Sequence, residues 1–93
     1  MNDPMNNDIT TVLHKCATND TNGNPRRVWV GLNQFGHILR VEDEGYAGRP
    51  DWVREASDRG VWDVRIEVTV KDYRATIKLG REMDKLRTAL ANS

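Results

Sequence analysis

The chain has 93 residues, equal numbers of basic and acidic side chains at 14 each, and 38% hydrophobic residues. A chain this short carries one core, not two. Its composition is too apolar for a disordered chain and too polar for a membrane protein, and zero net charge argues against a dedicated nucleic-acid coater.

No apolar run approaches the roughly 20 residues a membrane span needs, and the opening MNDPMNNDITT lacks the basic flank and apolar stretch of a signal peptide. Cys16 is the only cysteine, so no internal disulfide forms, and a cytoplasmic location is expected. Charge is unevenly spread along the chain. Residues 1–25 set one lysine against three aspartates, whereas residues 71–93 set six basic side chains against three acidic ones. Such asymmetry marks an anionic partner or lets the two ends attract each other.

Residues 1–25 read as a flexible segment, rich in Asn, Asp, Gly and Pro, around one short amphipathic helix over residues 8–17. Ile9, Val12, Leu13 and Cys16 fall at i, i+3, i+4 and i+7, with Asp8 placed as N-cap. A helix of about ten residues is marginal in water, so it has to dock on this domain or on a partner.

Residues 26–93 read as a single α+β domain. Arg26 to Gln34 is an expected strand, Phe35-Gly36 a turn, and His37 to Asp43 the returning strand, with Leu32 opposite Leu39 and Val30 opposite Val41. Pro50 and Asp51 open a short helix through Trp52, Val53 and Ala56 that Gly60 ends. From Trp62 to Val70 the apolar residues alternate strictly, which predicts another strand. Residues 73–79 admit two readings: Thr69-Val70-Lys71-Asp72 resembles a helix-capping box, while Tyr73, Ala75, Ile77 and Leu79 alternate as in a strand. The strand is preferred, because a turn at Lys71-Asp72 places every apolar side chain of the resulting hairpin on one face. Gly80 then breaks the strand, and Arg81 to Ala91 forms the final helix with Met83, Leu86 and Leu90 on its buried side.

The expected fold is thus a mainly antiparallel sheet of about four strands from two hairpins, with a C-terminal helix on one face, in the order (α)ββαββα. Val64, Ile66 and Val68 should share a core with Ile77, Met83 and Leu86.

No catalytic set emerges. His14 and Cys16 make an H-x-C pair with only His37 left to join them, which is not a zinc spacing, and nothing orients the histidine as a base for the thiol. Glu42, Asp43 and Glu44, with Asp63 or Glu67, read as solvated carboxylates at strand ends rather than a cation site. No metal and no cofactor are expected.

What remains is surface. Trp29, Arg40, Tyr46, Arg49 and Trp52 form the candidate partner-binding set, because tryptophan, tyrosine and arginine are the usual anchors of interfaces. Arg65, Arg74 and Lys78 form a candidate anion-binding face on the second hairpin; were residues 70–85 helical, Lys71, Arg74, Lys78, Arg81 and Lys85 would instead line one helix face. The expected function is a small non-enzymatic protein-interaction module, for example a regulator or inhibitor carried by a mobile element. The alternative is a nucleic-acid binder using the basic face, and an enzyme with a carboxylate site comes third.

Overall fold

The structure, a computed structural model, describes residues 8–17 and 25–92. The polar stretches 1–7 and 18–24, expected as loop, lie outside the described residues. Among the described residues four strands and two helices follow in the order β1 (Thr11–Ala17), β2 (Arg26–Leu32), β3 (Ile38–Asp43), α1 (Asp51–Asp58), β4 (Asp63–Val68) and α2 (Val70–Ala91). They make a small α+β fold on a mixed sheet of strand order β3-β2-β1-β4, in which only β1 and β4 are parallel.

The first correction concerns residues 8–17, which form a central strand and not a helix. Its helical spacing is a by-product of burial on both faces: Val12 and Cys16 point to one side of the sheet, Leu13 and Ala17 to the other, so no simple alternation shows. β-Branched Thr11 and Val12 suit the pleated conformation. The strand pairs with β2 from Thr11↔Leu32 to Ala17↔Arg26 and with β4 from Val12↔Asp63 to Ala17↔Val68.

The β2–β3 hairpin forms as expected, with Val30 opposite Val41. An irregularity between Gly31 and Leu32 shifts the register, so Leu32 meets Ile38 rather than Leu39. Asn33 organises the turn, its Oδ1 accepting from the backbone N–H groups of Phe35 and His37 at 2.9 Å each. Gly36 takes the positive φ of 80° that the turn requires.

The second correction concerns the expected second hairpin, because everything from Val70 to Ala91 is one helix. Thr69 caps it, accepting from the Asp72 N–H at 3.0 Å. The residues it buries, Tyr73, Thr76 and Gly80, follow helical spacing at i, i+3 and i+7. Gly80 does not break the helix; it lets the helix backbone lie against β3. A Cβ there would stand 2.8 Å from Val41 Cγ1 and 2.9 Å from Val41 Cβ.

The two helices cover opposite faces of the sheet. Trp52, Val53 and Ala56 of α1 pack on Val12 and Trp29, joined by Ile9 and Val61. On the other face Tyr73 packs with Ala17 and Val28, bordered by Val41, Val68, Val70 and Ile77. The Tyr73 hydroxyl donates to Asp43 at 2.8 Å. Burial, then the bond to Asp43, push its pKa up to about 12, so the contribution this contact makes to stability holds through neutral pH and is lost only as pH climbs through that value. The expected core is therefore displaced. Val64 and Leu86 are exposed, at 52% and 62%, while Val12, Val28, Val30 and Val53 are the largest fully buried side chains among the described residues.

Replacing a helical glycine by alanine ordinarily stabilises by about 1 kcal/mol. In urea titrations Gly80→Ala should instead destabilise, because overpacking costs about 1–3 kcal/mol. The same change in a Val41→Gly background, which removes both of the close atoms, should turn favourable, and additive effects of the two substitutions would contradict the close approach.

Candidate functional site

The face under α1 holds a chain of stacked and charge-paired side chains, because β1, β2, β3 and β4 send His14, Trp29, Glu42 and Asp63 to the same side. His14 lies flat on Trp29, with ring centroids 3.8 Å apart and planes 2° from parallel. Glu44, at the end of β3, folds back over this face and is buried, pairing with His14 Nε2 and, at 3.4 Å, with Arg27. Arg49 spans Trp29, 5.5 Å from its ring centroid, and Asp63 at 3.2 Å. Arg40 stands 5.5 Å over Trp52, whose indole N–H donates to Glu42 at 3.2 Å. The Trp29 Nε1–H is buried and has no hydrogen-bond partner among the described residues.

Four of the five expected partner-binding residues, Trp29, Arg40, Arg49 and Trp52, thus come together, but as core and cover. Trp29 is 2% exposed and Trp52 8%, so neither offers an accessible ring, and the arginines seal them. Tyr46 sits on the loop after Glu44 and is 85% exposed. It borders an open cleft of about 350 Å3 lined by Pro25, Arg27, Glu44, Gly45 and Gly48.

The His14–Glu44 pair resembles an oriented base, yet among the described residues no activated nucleophile accompanies it. Cys16 is buried on the same side of β1, its thiol contacting the His14 carbonyl oxygen at 3.7 Å. Burial, the largest influence, raises its pKa and keeps it protonated. Among the described residues no three His, Cys, Asp or Glu side chains converge as metal ligands.

The expected anion-binding face is divided by the sheet, a correction that follows from the helical state of residues 70–91. Arg65 lies on the α1 side of β4, 3.3 Å from Glu67, while Arg74 and Lys78 belong to α2 on the opposite side. On α2 they join Lys71, Arg81 and Lys85, all exposed. At 3.6 residues per turn these five cations lie within roughly 80° of one another on the side turned away from the sheet. None is ion-paired among the described residues, and like charges at such spacing repel.

A third side of α2 carries Leu79, Met83, Leu86 and Leu90, which the 4-3-4 spacing brings into one line roughly a quarter-turn from the sheet-facing side. Leu79, Leu86 and Leu90 are 38%, 62% and 66% exposed. Lys15 reaches Asp72 at 3.3 Å and Thr76 at 3.1 Å, which turns this flank toward the β1 and β4 side of the sheet. α2 crosses β3, β2 and β1 and leaves Val64 and Trp62 uncovered. Met83 and Leu86, expected in the core, lie instead in this line, Met83 half-buried and Leu86 exposed; their spacing is the signal for it.

No family model, no curated protein and no solved structure matches the chain. Among the described residues no helix is long and apolar enough to cross a membrane.

Cys16 tests whether the polar chain is structural. Its alkylation by iodoacetamide at about pH 8 should be far slower in the folded protein than in urea, since the thiolate is suppressed by burial. Equal rates would show an accessible, activated thiol.

Proposed function

We propose that the chain is a small non-enzymatic protein-interaction module, and that it docks its partner on the apolar flank of α2 together with the open side of β4. The observation that carries this reading is the row Leu79, Leu86 and Leu90, exposed at helical spacing on one side of α2, together with Trp62 at 73% and Val64 at 52% on the edge strand that α2 leaves uncovered. Scattered exposed leucines are ordinary, but an ordered row of them along one helix is the surface an amphipathic helix binds. The occupant best suited is a partner helix with its own apolar residues at i, i+3 or i+4, and i+7.

This reading moves the interface away from Trp29 and Trp52, which serve the core, and keeps the interaction role. It draws no support from the His14–Glu44 pair, whose neighbours are an ion-paired arginine and a buried thiol.

Glutamate at positions 86 and 90 separates docking from folding, because both side chains already face solvent. Leu86→Glu/Leu90→Glu should match the wild type in helical circular dichroism and in melting temperature within a few degrees. In nuclease-treated lysate the wild type should retain a protein that the variant loses. Identical retention by the two, or none by either, would contradict the reading.

A further inference from the structure

We propose that the outward face of α2 is a second binding site, for the phosphate backbone of a nucleic acid, formed by Lys71, Arg74, Lys78, Arg81 and Lys85. From Lys71 to Lys85 the five span 14 residue steps of a continuous helix, about 21 Å at 1.5 Å per residue. The chain as a whole is neutral, so this row is a local concentration of charge and not the sign of a generally basic protein. Of the acidic residues on α2, Asp72 is engaged by Lys15 and Asp84 lies 3.8 Å from Arg87, leaving Glu82 at the border of the row.

Nucleic acid suits this face better than an acidic protein does. The row is linear and evenly stepped by three and four residues, as a repeating polyanion requires, and it contains no aromatic or large apolar side chain. A protein interface needs a desolvated apolar anchor, and on this helix the leucines lie roughly 130° away from the cations. Contacts to phosphate alone carry no sequence information, so binding here is indifferent to sequence. It also leaves the apolar flank open, so the two sites act independently.

Each cation that neutralises a phosphate releases counterions, and affinity then falls with salt in proportion to the number of contacts. The measurement is fluorescence anisotropy of a labelled duplex of scrambled sequence, about 20 base pairs long, titrated with the full chain over a range of salt. Binding in the range of about 10⁻⁴–10⁻⁶ M at physiological salt is expected, with a slope of log K against log salt near −4.5. Arg74→Gln/Lys78→Gln should reduce the slope to about −2.7 without loss of helical circular dichroism. Arg65→Gln, which removes an exposed cation on the opposite side of the sheet, should leave it unchanged. Absence of binding at low salt, a slope indifferent to the double variant, or a slope lowered as much by Arg65→Gln would each overturn the proposal. Polyglutamate competing as well as duplex DNA at equal charge would also overturn it, assigning the row to an acidic protein.

Discussion

The pairing of β1 with β2 on one side and β4 on the other is the interaction on which the rest of the molecule depends. β1 supplies the middle of the sheet, and both helices pack on residues it contributes: α1 on Val12, α2 on Ala17. Its polar side chains are used in the same two-sided way. His14 enters the stacked network beneath Glu44, while Lys15 ties down the first turn of α2. Because β4 runs parallel to β1 and leads directly into α2, the helix must return across the sheet, which brings Gly80 over Val41. That contact fixes the rotation of α2. Once the sheet-facing side is set, the leucine row and the lysine–arginine row are directed outward as a consequence.

Much of the architecture was legible where turn residues or alternation mark a segment. The β2–β3 hairpin, the short α1 and most of β4 follow from alternation, from Gly36 and from Pro50 and Gly60. The two failures have different causes. β1 is central and buried on both faces like β2, but it has no turn residue to mark a hairpin, and Ile9, Val12, Leu13 and Cys16 happen to satisfy a helical period. In residues 73–79, Ala75 and Leu79 continue an apolar alternation although both are exposed; the capping signal at Thr69 and Asp72 was the better guide, and Gly80 misled because its reason is a close approach to another element.

The candidate sites were legible in kind more than in place. Arginines and tryptophans expected at an interface do associate, since Arg49 and Arg40 lie over Trp29 and Trp52, but the association closes the α1 side of the sheet. The buried Glu44 carboxylate has the partners such a group needs in His14 and Arg27, whereas the stacked indole beneath contributes packing and leaves its N–H without a partner among the described residues. On the proposed reading binding is left to α2, whose sheet-facing, apolar and cationic sides would perform three different tasks from one stretch of 22 residues.

That division of labour requires α2 to be one uninterrupted helix seated by Gly80. The most direct measurement is an NMR assignment of residues 70–91 with NOEs to the methyl groups of Val41. The account predicts helical Cα shifts without a break through Gly80, and NOEs from the Gly80 Hα protons to Val41. Extended shifts over residues 73–79, with a break at Gly80 and no such NOEs, would contradict it.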